Sequence, residues 1–216
     1  MLAARTSWGA GAAPDADAPL VVLLHGYGTD QHDLVPLIEG MVPPSAAWAS
    51  LRGPRELTFG GAEWFPIETL VAPAASDLAA AAAAIWDWLD AHGSGRRIVP
   101  IGFSQGGVMA LELLRERPGR VAAAAVLSGF AAAPVRPGDA VLADHPAPVF
   151  WGRGDQDDVI PAVLVAWTAQ WLPAHARLDA HRYPGLPHGI SPAEVADLAA
   201  FLRPVLRAAG SAGQRS

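Results

Sequence analysis

The chain has no cysteine and no lysine among its 216 residues. The first absence excludes disulfides, a thiolate nucleophile and any cysteine-held metal. The second excludes a Walker phosphate loop, whose Gly-Lys-Ser/Thr core is obligatory, and lysine Schiff-base chemistry. All 15 basic side chains are therefore arginine, set against 21 Asp and Glu for a net charge of −6. A mildly acidic chain without a basic stripe is a poor nucleic-acid binder. Long hydrophobic runs are also missing. Although 51% of residues are hydrophobic, no uninterrupted run approaches the ~20 residues of a membrane-spanning helix. The segment Met1–Thr6 lacks a charged region followed by an apolar stretch, so no signal peptide is expected. The absences together lead us to expect a cytoplasmic protein with no nucleic-acid partner and no membrane span.

What is present is an alternation of apolar runs and helix-like segments. Leu20–Leu24 is apolar at every position, the pattern of a strand buried on both faces of a parallel sheet. Further strands are expected at Ala46–Leu51, Ile98–Ile101, Val121–Leu127, Pro148–Trp151 and Arg177–Tyr183, with an edge strand near Arg5–Trp8. Helices are expected over Gln31–Glu39, Asp77–Ala91 with Ser76 as cap, Val108–Leu114, and Pro161 to about Leu172. A last helix is expected after Ser191, with Pro192 in first position and Glu194 completing a capping box. Residues 131–146 read as loop. The alternation predicts an α/β fold, a mostly parallel central sheet with helices on both faces. Residues 1–216 are expected to form a single domain, with 1–18 and 208–216 peripheral.

One stretch organises the chemistry. Gly102-Phe103-Ser104-Gln105-Gly106-Gly107 lies between the Ile98 strand and the Val108 helix. Strand, Gly-x-Ser-x-Gly, helix is the context of a nucleophile elbow, a tight turn that lifts a serine hydroxyl above the sheet. Free N–H groups at the helix start can face developing negative charge. A serine is a weak nucleophile until a base takes its proton, and that base needs a third group to hold its tautomer. Candidates must lie in loops after later strands, at the edge where open α/β sheets place their sites. Of seven histidines, His188 alone sits in a Gly/Pro-framed loop after a strand and before a capped helix. His25 lies upstream of the serine and reads as a loop brace; His92 reads as structural. For the acid, Asp155, Asp157 and Asp158 all follow the Phe150 strand, and spacing does not choose among them.

A long irregular segment, Arg52–Ala72, carries Gly53-Pro54, Gly60-Gly61 and Trp64-Phe65-Pro66-Ile67. Loops of this length in compact domains are more often functional than idle. Its aromatics read either as a lid over the site or as a plug at the core edge. On the first reading Trp64 and Phe65 are substrate-binding residues lining an acyl groove near Ser104.

These motifs resemble those of the phospholipase/carboxylesterase family of α/β-hydrolases, which includes the acyl-protein thioesterases. The matching stretches are Leu24-His25-Gly26-Tyr27-Gly28, Trp64-Phe65-Pro66-Ile67, the elbow itself, Leu127-Ser128-Gly129, Gly154-Asp155-Gln156-Asp157-Asp158-Val159-Ile160-Pro161 and Pro187-His188-Gly189. They run in family order from residue 20 to about 202. The resemblance implies the α/β-hydrolase fold and singles out Asp157 as the acid, beside Ser104 and His188. It implies an oxyanion hole formed by the backbone N–H groups of Gln105 and Tyr27. Tyr27 stands where leucine is common, Arg153 where histidine is common, and Pro66 where aspartate often follows Trp-Phe. The expected activity is ester or thioester hydrolysis through an acyl-enzyme, with a small-molecule ester as substrate and no metal or cofactor. Two alternatives use the same fold: a catalytically silent small-molecule binding protein, and a peptidase or acyl transferase.

Overall fold

A strand that is apolar at every position must be covered on both sides, and Leu20–Leu24 (β2) is. In the computed structural model, which describes residues 1–8, 18–93, 95–133 and 135–207, its side chains divide by the two-residue period of a strand. Leu20, Val22 and Leu24 enter one core, and Val21 and Leu23 enter the other. The remaining strands in chain order are β1 (Ala4–Ser7), β3 (Trp48–Leu51), β4 (Arg55–Glu56), β5 (Ala62–Glu63), β6 (Ile98–Phe103), β7 (Ala124–Leu127), β8 (Ala147–Gly154) and β9 (Ala176–Tyr183). The helices are α1 (Val35–Ile38), α2 (Ala75–His92), α3 (Gln105–Glu116), α4 (Pro137–Asp144), α5 (Ala162–His175) and α6 (Pro192–Arg207). The main sheet has seven strands in the order β1-β3-β2-β6-β7-β8-β9. All neighbours are parallel except β1, which pairs antiparallel with β3. Residues of α2, α3, α4 and α5 fill one core, and residues of α1 and α6 fill the other. The expected mostly parallel sheet with helices on both faces is borne out.

Several local expectations change. The segment 131–146 is not all loop, because α4 lies within it. Pro137 suits the first helical position, but Gly138 beside it weakens the helix, and tertiary contacts supply what propensity lacks. The fully buried Arg115 of α3 grips Asp139 through two bonds of 2.8 Å, and Asp139 also accepts the Arg136 amide at 2.9 Å. Arg115 bonds Glu112 as well, at 2.9 Å. Breaking such a buried ionic cluster from one side typically costs about 3–5 kcal/mol. Helix α2 starts at Ala75, so Ser76 lies inside it and makes no cap bond. Helix α1 is shorter than the expected Gln31–Glu39, and Pro161 precedes α5 instead of opening it. Within 52–72 lies a small antiparallel hairpin, β4 with β5. The peripheral role expected of 208–216, and of 9–17, falls outside the described residues.

Candidate active site

The loops that follow β2, β6, β8 and β9 meet at the C-terminal edge of the sheet. Ser104 joins β6 to α3 with φ 53° and ψ −117°, a conformation costing a non-glycine residue about 1–3 kcal/mol. The turn is this tight because β6, α3 and β2 touch backbone to backbone. A Cβ at Gly102 would collide with the Gly106 carbonyl, and one at Gly106 with the carbonyls of Leu24 and His25. The Ser104 amide is tied to Leu127 O at 2.8 Å, anchoring the turn to β7.

His188 Nε2 lies 2.9 Å from Ser104 Oγ, and His188 Nδ1 lies 2.9 Å from Asp157 Oδ2. The other Asp157 oxygen accepts the amides of Val159 at 3.1 Å and Ile160 at 3.2 Å. Burial pushes the Asp157 carboxyl up, but the His188 bond and these two amides outweigh it and hold it below the ordinary range. A carboxylate only accepts, so His188 must carry its proton on Nδ1, leaving Nε2 to accept from the serine hydroxyl. An imidazole so placed can take the Ser104 proton while the carboxylate stabilises the resulting cation. Phe103 flanks the imidazole with ring centroids 4.9 Å apart. The rival Asp155 does something else: it accepts the Gly185 amide at 2.7 Å and so braces the histidine loop.

Gly26 abuts the elbow, where a Cβ would lie 3.6 Å from Ser104 Cβ. Among the described residues, the Tyr27 N–H and the Gln105 N–H have no hydrogen-bond partner. The first belongs to the loop beside Ser104 and the second to the start of α3. Two unpartnered amides on either side of a serine can receive an oxyanion.

Trp64 and Phe65 need a correction. Their side chains are 1% and 0% exposed and belong to the core beneath the loops, so they do not line an open groove. Their backbone and indole hold the site instead. The Trp64 amide donates to Gln105 Oε1 at 2.7 Å, and Gln105 Nε2 donates to Phe65 O at 2.7 Å. Trp64 Nε1 donates to His25 O at 2.9 Å. His25 accepts the Gly53 amide on Nε2 at 2.9 Å, so its proton sits on Nδ1 and is donated to Gly26 O at 2.6 Å. Burial lowers the His25 pKa and keeps the ring neutral, as this pattern requires. Gln105, Trp64 and His25 thus form one continuous brace from α3 to the loop carrying Tyr27. Neither spacing nor periodicity reveals the Gln105 clamp. The available signal is a polar side chain at the head of an otherwise buried helix, which needs a partner. An aromatic does stand at the rim: Phe59, 69% exposed, sits edge-on to Tyr27 with centroids 6.3 Å apart. The signal there is a phenylalanine beside Gly60-Gly61 at a hairpin tip. No group of three or more His, Asp or Glu side chains is arranged to hold a metal among the described residues, and no described helix is long and apolar enough to cross a membrane.

A serine at a strand–helix elbow on a mostly parallel sheet, with a histidine and an aspartate supplied by later strand ends, defines the α/β-hydrolase class. The family model that matches residues 11–206 is that of the phospholipase/carboxylesterases, and the chain belongs to that family. It is 36% identical over 129 residues to acyl-protein thioesterase 1 of Mycosarcoma maydis, a match covering 56% of this chain and 53% of that protein. It is 30% identical over 116 residues to acyl-protein thioesterase 1 of Saccharomyces cerevisiae, covering 50% and 49%. The chain spans about half the length of these relatives. The crystal structure of esterase PE8 is similar over 95% of this chain and 99% of that one, with TM-score 0.75 and 27% identity. The Bacillus cereus carboxylesterase shares the fold with TM-score 0.80 at 23% identity over 95% of each chain.

Proposed function

We propose that the protein is a serine hydrolase that cleaves carboxylic esters, thioesters included, through an acyl-enzyme on Ser104. The observation that carries this reading is the position of His188, 2.9 Å from both the serine hydroxyl and the Asp157 carboxylate. Ser104 Oγ attacks the carbonyl carbon as His188 Nε2 takes its proton. The N–H groups of Tyr27 and Gln105 receive the oxyanion, each donor contributing roughly 3 kcal/mol in the transition state. As the tetrahedral intermediate collapses, His188 returns the proton to the departing alcohol or thiol. Water, deprotonated by the same imidazole, then releases the acid and restores the serine. Asp157 fixes the imidazole's tautomer and offsets its positive charge. No step calls on a metal or cofactor.

The substrate proposed is a small-molecule ester whose acyl chain leaves the site past Phe59. The thioester part of the reading leans on the relatives named acyl-protein thioesterase, and half of each of those proteins supports it. A cytoplasmic setting is proposed with it, on the strength of a cysteine-free composition. The test is purified protein on p-nitrophenyl esters from acetate to palmitate and on an acyl-thioester. Turnover with a graded chain-length preference is expected, because one methylene is worth only about 1–3 kcal/mol in an apolar site. Phe59→Ala should change that preference while leaving stability within about 0.5 kcal/mol of wild type. No turnover on any of these substrates would contradict the reading.

A further inference from the structure

The sequence pattern Ser191-Pro192-Ala193-Glu194 predicts a capping box, and half of it forms. The Glu194 amide donates to Ser191 Oγ at 3.1 Å. The return bond is missing: neither carboxyl oxygen of Glu194 has a partner among the described residues, and the residue is 0% exposed. The side chain turns away from the cap and lies against Gly152 of β8, where a Cβ would collide with Glu194 Oε1. An ionised carboxylate buried without partners is very costly, so a fold that keeps one there keeps it as the acid.

Its location is what gives this carboxyl a role. Gly152 and Gly154 are two apart on β8 and face the same side of the sheet. A Cβ at Gly154 would collide with Leu186 O and press on Pro187 O. Both flanks of His188 therefore rest on β8, Pro187 before it on Gly154 and Glu194 after it on Gly152. The same strand leads directly into the loop that carries Asp157. Gly152 O also receives the Ser128 amide at 2.8 Å, one residue beyond the Leu127 carbonyl that anchors the Ser104 amide. Strands β7 and β8 and helix α6 converge on this one glycine.

We propose that Glu194 is a positioning residue, whose side chain seats the start of α6 on Gly152 and thereby fixes His188 between Ser104 and Asp157. This rests on the proposed hydrolase chemistry. Only the neutral acid fits the seat. Burial raises its pKa, the Ser191 contact works against that, and Asp197 adds to the rise, giving a value of about 7. Asp197 on α6 and Tyr183 on β9 are the groups that interact with it electrostatically. Asp197 accepts from Tyr183 and lies 3.4 Å from His181 of β9, which in turn contacts Asp179. Strand β8 offers the uncharged Gly152 and Phe150, and Ser128, one residue past β7, bonds Gly152 O from its amide. The folded pKa lies above the ordinary carboxylate value. Stability from this group is therefore complete at acid pH and is lost as pH rises through about 7. Ionisation there unseats α6 and loosens the histidine.

The test compares wild type, Glu194→Gln and Glu194→Ala, measuring kcat, KM, melting temperature and the low-field proton resonance of the His188 Nδ1–H across neutral pH. Glutamine reproduces the neutral acid in shape, so at about pH 6 Glu194→Gln should match wild type to within about twofold, whereas Glu194→Ala should lose about tenfold or more in kcat with KM little changed. Between about pH 6 and 8.5 the activity of Glu194→Gln relative to wild type should rise about threefold or more, because only wild type ionises there. Wild-type kcat in Glu194→Ala, a glutamine variant as impaired as the alanine variant, or a flat ratio with pH would each overturn the proposal. The resonance separates this from a failure of the hydrolase reading. If no ester is turned over, a resonance retained in Glu194→Gln and lost in folded Glu194→Ala still supports the positioning role. An unchanged resonance in all three overturns it.

Discussion

On one side of Ser104 every buried side-chain polar atom of the brace has a partner; on the other side, among the described residues, the Glu194 carboxyl and Ser128 Oγ have none. The Tyr27 side is held by Gln105, Trp64 and His25, each bonded to backbone at 2.6–2.9 Å. The His188 side is held by Asp157 and by a seat on β8 that includes the unpartnered carboxyl of Glu194. In the proposed reaction the first side would meet the transition state with fixed backbone donors, whose worth lies in not moving. The second side carries the groups that exchange protons, and its geometry is tied to a group whose own proton is labile. On the proposed mechanism the difference teaches that preorganisation in this site would have two sources: side-chain hydrogen bonds with every partner in place where charge is received, and protonation state where protons are passed.

The comparison can be broken hardest at the acid. Asp157→Asn preserves shape but lets the amide favour the wrong histidine tautomer, and kcat for ester hydrolysis should fall by on the order of 10⁴. The decisive readout is kcat in folded, purified variant. A smaller effect is expected from the saturated side. Gln105→Ala leaves the Trp64 amide and the Phe65 carbonyl buried without partners, at about 1–3 kcal/mol each. Its melting temperature should drop clearly and its kcat by roughly 10–100-fold, as the Tyr27 loop loses its brace. A variant with wild-type kcat would show that the brace serves stability alone. The smallest effect belongs to Asp155→Asn, which keeps an oxygen for the Gly185 amide; turnover within a few-fold of wild type is expected. If Asp155→Asn were worse than Asp157→Asn, the acid would be misassigned.

The parts visible in the sequence were those with a local signature. The all-apolar β2 announced a doubly covered sheet, and Gly-x-Ser-x-Gly between strand and helix announced the elbow with Ser104. Glycine spacing reports backbone contact directly, since Gly102 and Gly106 leave no room for a side chain. What stayed hidden depends on partners far along the chain. The α4 helix is held by Arg115 and Arg136, and Gly138 in its first turn together with its brevity masks the start signal that Pro137 gives. Trp64 and Phe65 read equally as lid or as core plug because they lie in an irregular segment. A loop can also run over the core and plug it, and only their burial distinguishes the two cases. Glu194 fits a capping-box pattern so well that nothing in the sequence shows its departure from the cap. Choosing Asp157 over Asp155 rested on resemblance, because three aspartates in one turn are interchangeable by spacing.

The claim beneath all of this is that Ser104 is a nucleophile activated by His188. Its most direct measurement is treatment of the folded protein with a fluorophosphonate, followed by intact-mass and peptide analysis. One adduct per chain, located on Ser104 and formed in step with the loss of ester hydrolysis, is the predicted result. An unmodified protein, an adduct on another residue, or full hydrolysis after Ser104 is blocked would contradict it.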